Sequence, residues 1–194
     1  MNTAVETETD AGTDDWGALS ALPGNPLMWV LILSEMLVFG ALLAGFAAMH
    51  LIDPAGHAVG QAALDPIMGG LNTIVLVTSG LFIALAVRAR VDGQIRPARL
   101  WSAAAMVLGV VFLAVKAVEY ADKAALGIGM ETSNFFTLYY LTTGFHAAHV
   151  IAGLVVLGLV SWKCTVENLE TGAAFWHMID LVWVLIYPVV YLIR

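Results

Sequence analysis

Apolar residues fill five long runs of this chain, and the polar residues that interrupt the runs recur at helical spacing. The runs lie near 27–49, 67–88, 99–120, 135–162 and 174–193. Each is long enough to cross about 30 Å of hydrocarbon at about 1.5 Å per residue. The pattern predicts an all-α polytopic membrane protein, with a five-transmembrane-helix bundle over 26–194 and a separate tail over 1–25. The fourth run exceeds the hydrocarbon thickness and is expected to tilt or protrude. Pro23, Pro26 and Pro66 fall at helix starts, where a missing N–H is harmless. Pro97 precedes the third span, and Pro188 is expected to kink the fifth near its end. The connections are short, with no internal repeat and no paired interrupted helices of the transporter kind.

The polar positions mark helix faces. In the fourth run Tyr139, Thr142, His146, His149 and Gly153 recur three and four apart, which aligns them on one side. The fifth run repeats the device with His177, Asp180, Tyr187 and Tyr191, and the second with Asn72 and Ser79. Lipid cannot satisfy their hydrogen bonds, so these faces are expected to look into the bundle. Gly40, Ala44, Gly45 and the pair Gly69-Gly70 offer small surfaces for close helix approach.

Composition agrees with the membrane class. Only 12% of the 194 residues are charged, against about 25% in soluble domains. Part of the net charge of −7 sits in the tail, where Glu6, Glu8, Asp10, Asp14 and Asp15 occur without a basic residue among them. That tail reads as disordered and solvated, and it lacks the basic start of a secretory signal. Arg88, Arg90, Arg96 and Arg99 crowd the second connection, whereas the first has no lysine or arginine and the third only Lys123. The positive-inside rule places the arginine-rich loop, Lys163 and the N-terminus in the cytoplasm and Arg194 outside, across a cell inner (plasma) membrane. No nucleic-acid partner is expected.

Ionisable groups inside the runs carry the candidate chemistry. Burying one there costs roughly 2.5 kcal/mol or more, so each marks a functional position by default. Glu35, Glu119, His146, His149, His177 and Asp180 are such groups. The helical rise puts Glu35 about 12 Å from the inner end of its run, Asp180 about 9 Å from its own, and His149 near mid-membrane. These three are expected to share one hydrogen-bonded group, the alternative being separate capping by neighbouring side chains or backbone. Lys116 and Glu119, one turn apart, are expected to pair locally. The histidines read as core hydrogen-bonding groups. His146 and His149 share a helix with no carboxylate or thiolate at ligand spacing, and His177 lies at another depth. Cys164 is the only cysteine, which rules out an intrachain disulfide, a Cys-x-x-Cys-His haem attachment and any thiolate pair. Phosphate-cradling loops, nucleophile elbows and zincin signatures are absent, so neither a catalytic residue nor a metal site is assigned to this chain.

Five stretches together resemble a known family. They are Trp29-Val-Leu-Ile-Leu-Ser-Glu35, Leu71-Asn-Thr-Ile-Val-Leu-Val-Thr-Ser-Gly80, Lys116-Ala-Val-Glu-Tyr120, Thr143-Gly-Phe-His-Ala-Ala-His-Val150 and Trp176-His-Met-Ile-Asp-Leu-Val-Trp183. In type and order they are similar to signatures of subunit III of haem–copper cytochrome c oxidases, in its five-helix short form. The resemblance implies a non-catalytic subunit of a respiratory oxidase in aerobic electron transport. It implies that haem and copper reside in partner subunits, that this chain packs against catalytic subunit I (with subunit II), and that it binds structural phospholipid. A role in sustaining proton uptake and in protecting the catalytic subunit is also implied. Glu35 matches the family's reactive carboxylate, His146, His149, His177 and Asp180 match its other intramembrane polar positions, and Glu119 matches its Glu-Tyr helix end. Asn72, Gly144, Trp176 and Trp183 match helix-packing or interface positions. Pro26-Leu-Met-Trp-Val30 and Glu35-Met-Leu-Val-Phe-Gly40 look somewhat more like a related branch, the accessory membrane proteins of nitric oxide reductase, which is the alternative reading. Two further classes are a free-standing b-type cytochrome using the histidines and a proton-coupled transporter built on Glu35 and Asp180.

Overall fold

Local chemistry sets the helix boundaries. The computed structural model describes residues 26–193, with side chains from Met28 onward; the expectations for the acidic tail and Arg194 lie outside the described residues. The helices are α1 (Pro26–Ile52), α2 (Pro54–Ala62), α3 (Pro66–Val91), α4 (Ile95–Ala125), α5 (Asn134–Lys163) and α6 (Val166–Tyr187), followed by a π-helical turn (Pro188–Leu192). Five are long and apolar enough to span a membrane, the last together with its π turn. In α2 and α3 an aspartate caps the helix and a proline opens it: Asp53 Oδ1 accepts from Gly56 N at 2.9 Å, and Asp65 Oδ1 from Ile67 N at 2.9 Å. This arrangement fills orphan N–H groups and needs none from the proline.

Two expectations are corrected. The first connection is not a plain loop but holds α2. The fifth span starts at Val166 rather than near 174, because Thr165 Oγ1 caps it by accepting from Asn168 N at 3.2 Å. Its first turns carry Glu167, Asn168 and Glu170, which break the apolar pattern without breaking the helix. Pro188 marks a change of helix type: with no N–H to give, it leads into the π turn closed by Ile193 N donating to Pro188 O at 2.9 Å.

α3, α4, α5 and α6 pack in a ring, and α1 docks against α5 and α6. α6 is the most enclosed span and α1 the least. Leu33, Leu37, Leu100, Val107 and Leu159 are exposed, as a lipid-facing surface requires. One end of the bundle gathers the arginines. Arg90 Nε donates to Cys164 O at 2.6 Å and Arg99 Nη2 to Trp162 O at 2.8 Å, tying the arginine-rich connection to the end of α5. At the opposite end Gln61 Nε2 donates to Val190 O at 3.1 Å and Ile193 O at 2.9 Å, and Lys123 Nζ donates to Ala63 O, so α2 is clamped to the π turn and to α4.

α2 also carries a titratable contact. His57 Nδ1 lies 3.4 Å from His50 Nδ1, and its ring packs edge-on against Phe46 and Phe135. Burial first, and the His50 charge second, hold the His57 pKa below its ordinary 6.5. A histidine whose folded pKa is depressed stabilises docking above the unfolded value, and that contribution is lost as pH falls below it. Amide protection across α2, corrected for intrinsic exchange rate, is therefore expected to fall below about pH 6.5 in wild type. It should stay flat in His57→Phe; an equal loss in that variant would reject the assignment.

Candidate functional site

Glu35 and His149 meet on the face between α1 and α5. His149 Nε2 lies 3.1 Å from Glu35 Oε2, with side-chain exposures of 15% and 19%, so the pair sits at the edge of the bundle rather than in its core. The approach is close but bent away from hydrogen-bond alignment. His149 Nδ1 is 2.8 Å from Phe145 O. A carbonyl only accepts, so Nδ1 carries the proton and donates; in a neutral ring Nε2 is then a bare acceptor. A bare acceptor facing a carboxylate oxygen would repel it. As they stand the two atoms are in contact without a hydrogen bond between them. Of the expected group, the structure brings these two side chains into contact.

Asp180 does not join them. It lies on the side of α6 that faces α3, its Oδ2 against the backbone of Gly80, where any Cβ would collide with it. With α6 beginning at Val166, Asp180 is about 21 Å along the helix, deeper than the expected 9 Å. Its neighbour is His177, whose Nδ1 is 3.7 Å from Asp180 Oδ2. The expected three-residue group is corrected to two separate pairs on opposite flanks of α6. His177 is a second correction: its side chain is 47% exposed and points away from the bundle.

A deeply buried charged cluster was expected only as a local pair. Lys116 Nζ is 2.9 Å from Glu119 Oε2, as expected, and also donates to Tyr139 OH and Tyr191 OH, each at 3.1 Å. Both phenols donate to Glu119 Oε1, at 2.8 and 2.7 Å. All three ammonium protons are thus used, and the faces of Tyr120, Tyr139, Trp183 and Tyr191 surround the cation at 5.0–5.8 Å. Lys116 and Glu119 are 2% and 3% exposed. Tyr139 and Tyr191 appear in the sequence as parts of two different stripes; matching their depth to that of Glu119 is the signal that joins them.

The remaining candidates are packing elements. His146 is fully buried, its Nε2 3.1 Å from Ile179 O. Asn72 Nδ2 donates to Phe112 O at 3.3 Å, and Trp183 Nε1 to Thr73 Oγ1 at 3.0 Å. Trp176 Nε1 donates to Ser79 Oγ at 3.1 Å, and Ser79 Oγ to Ala105 O at 2.8 Å, linking α6, α3 and α4. Gly69 and Gly70 make close approaches, to Tyr187 and Tyr191 and to Tyr187, whereas a Cβ on Gly40 would meet nothing and one on Gly144 only Tyr120 OH at 3.9 Å. Gly40 and Gly144 are therefore not tight crossing points. Close crossings that share one side chain lie at Gly109 and Gly153, both against Trp176.

Among the described residues no three His, Cys, Asp or Glu side chains converge as a metal ion would need. His146, His149 and His177 engage three different partners and are not opposed across one gap, so the geometry gives no support to a bis-histidine haem.

A sequence model of the family described as "Cytochrome c oxidase subunit III" matches residues 24–193. Similar curated proteins include cytochrome c oxidase subunit 3 of Synechocystis sp., 26% identical over 171 residues that cover 84% of this chain and 72% of the relative. Probable cytochrome c oxidase subunit 3 of Nocardia farcinica is 28% identical, with full coverage of both chains. A third, heme-copper oxidase subunit I+III of Aeropyrum pernix, is 27% identical over 86% of this chain and 22% of its own length. These matches do not favour the nitric oxide reductase alternative.

Proposed function

The chain belongs to the cytochrome c oxidase subunit III family, and from that premise we propose that it works as the non-catalytic, multi-pass membrane subunit of a respiratory haem–copper oxidase. In this reading it packs against the catalytic subunit I, with subunit II in the same complex, and leaves haem and copper to those partners. The Aeropyrum pernix relative, whose name joins subunits I and III in one polypeptide, supports that association. By the positive-inside rule, the arginine-rich end faces the cytoplasm across the plasma (inner) membrane.

The Glu35–His149 pair carries the functional part of the proposal. A carboxyl and an imidazole side by side near the bundle surface, the pair falls within the apolar span, where an unshared charge is costly. We assign it to sustaining proton uptake and to protecting the catalytic subunit during turnover. An apolar groove of about 270 Å³ between α1, α2 and the π turn, lined by Leu43, Phe46, Leu51 and Val189 among others, has the character of an acyl-chain site for structural phospholipid.

The test uses the purified complex. Co-purification with a multi-helix haem–copper subunit is expected, and its failure would end the subunit reading. Glu35→Ala should leave haem content unchanged, yet shorten the number of turnovers before inactivation severalfold or alter proton uptake. Behaviour identical to wild type across many turnovers would remove Glu35 from that role.

A further inference from the structure

The chain has five tyrosines, and the fold gathers all five into one series of neighbouring rings. Tyr187 lies tilted beside Tyr191, with ring centroids 5.6 Å apart. Tyr191 is 6.4 Å from Tyr139, which meets Tyr120 at 6.1 Å and Tyr140 at 5.1 Å. The rings come from α4, α5, α6 and the π turn, so no single helix stripe accounts for the series. Tyr187, Tyr120 and Tyr140 at its ends are half-buried, while Tyr139 and Tyr191 in its middle are buried. Charge balance for Lys116 requires Glu119 and the middle pair, but it requires neither Tyr187 nor Tyr140.

Hydrogen-bond acceptors set the middle pair apart. Tyr187 OH donates to Pro66 O at 3.1 Å and Tyr140 OH to Ile128 O at 3.0 Å, while Tyr120 OH pairs with Thr143 Oγ1 at 2.6 Å. Carbonyl and hydroxyl oxygens are weak bases. Of the five, only Tyr139 and Tyr191 donate to a carboxylate, Glu119 Oε1, at 2.8 and 2.7 Å. Taking an electron from a phenol makes its O–H strongly acidic, so the oxidised ring lasts where a base accepts that proton. A carboxylate within hydrogen-bond reach is such a base. Lys116 Nζ donates to both phenol oxygens, so an oxygen that loses its proton keeps a charge-assisted donor.

We propose that Tyr139 and Tyr191 form a redox site for one-electron oxidants, with Glu119 as its proton acceptor and the outer tyrosines as its connection to the surface. The co-reactant is a high-potential one-electron oxidant, of the kind that partly reduced dioxygen supplies. It gains one electron from the ring series. One phenol O–H bond breaks, its proton forms an O–H bond with Glu119 Oε1, and a neutral phenoxyl radical remains. An electron from a one-electron reductant and the return of that proton restore the resting pair. The site stands on this chain alone and does not depend on the subunit function proposed above.

The test uses the full chain in detergent, with a ruthenium polypyridyl photo-oxidant on a cysteine introduced by Ile67→Cys. Ile67 is exposed and next to Pro66, and the native Cys164 is buried away from the labelling reagent. Flash oxidation of the label is expected to give a neutral phenoxyl radical, read by electron paramagnetic resonance. Tyr139→Phe alone should keep it, because Tyr191 still donates to Glu119 and neighbours Tyr187. Tyr139→Phe with Tyr191→Phe should abolish it. Glu119→Gln with Lys116→Met keeps both rings but no base, and should abolish it too. That second pair of changes decides the matter where the double phenylalanine variant does not fold. A label at Leu159→Cys, about 30 Å along α5 from Tyr139, should give no radical. A phenoxyl signal that survives either double variant, a tryptophan radical in its place, or equal yield from both labels would overturn the proposal. So would the lack of any radical in the labelled chain with its tyrosines intact.

Discussion

Glu119→Leu is expected to destabilise the bundle by about 3–5 kcal/mol, and adding Lys116→Met to recover most of that loss. The asymmetry follows from the geometry. Removing the carboxylate strips Lys116 of its counter-charge at a site 2% exposed, and it takes the acceptor from the hydroxyls of Tyr139 and Tyr191. A buried charge left without its partner pays the full desolvation term, whereas replacing both members with apolar side chains removes the term altogether. Lys116→Met alone should be milder, because Glu119 keeps two phenol donors. In the double variant the two phenols can donate to one another but leave one proton unmatched, a residual of about 1–3 kcal/mol. Thermal unfolding of the complex in one detergent, for wild type and the three variants, makes the comparison. A double variant as unstable as Glu119→Leu would mean that charge balance is not what the cluster supplies.

The bundle and its spans were legible because a bilayer imposes length and apolarity on every segment that crosses it. The polar pairings were legible only where helix ends were read correctly. Glu35 and His149 came into contact, since α1 and α5 begin and end near where the apolar runs do. Asp180 went astray because Glu167, Asn168 and Glu170 open α6 in a polar register, so the apolar run starts later than the helix. The three-and-four spacing of His177 and Asp180 showed that they share a face but not which neighbour it meets. The result is a face turned to α3 and the lipid boundary rather than to α1. Tyr139 and Tyr191 sit on stripes of different helices, and only a comparison of depth with Glu119 brings them to one cation. His50 and His57 were not singled out in the sequence: Asp53-Pro54 marks the start of a helix, but not that the helix folds His57 back over the end of α1.

Trp176→Ala should be the other costly change, at about 3–5 kcal/mol, and its cause is chiefly packing. Between helices in lipid the hydrophobic effect contributes little, so close contact and hydrogen bonding hold them together. Trp176 is fully buried and concentrates those contacts. A Cβ added at Gly109 would come within 2.7 Å of its Cη2, and one at Gly153 within 2.8 Å of its Cε3, while its Nε1 donates to Ser79 Oγ. One side chain of α6 therefore touches α3, α4 and α5 at once. Trp176→Phe should lose far less, about 1 kcal/mol, because Ser79 still donates to Ala105 O and no buried donor is orphaned. From the other side of the contact, Gly153→Ala forces a methyl against Ile179 Cδ1 and a Trp176 ring that is packed on every side, at about 1–3 kcal/mol. If the ring and the glycine form one joint, Gly153→Ala combined with Trp176→Phe must fall short of the sum of the single effects, since the smaller ring makes room for the methyl. Strict additivity in unfolding measurements would show that Trp176 does not bear on Gly153, and the account of how α5 and α6 are held would have to change.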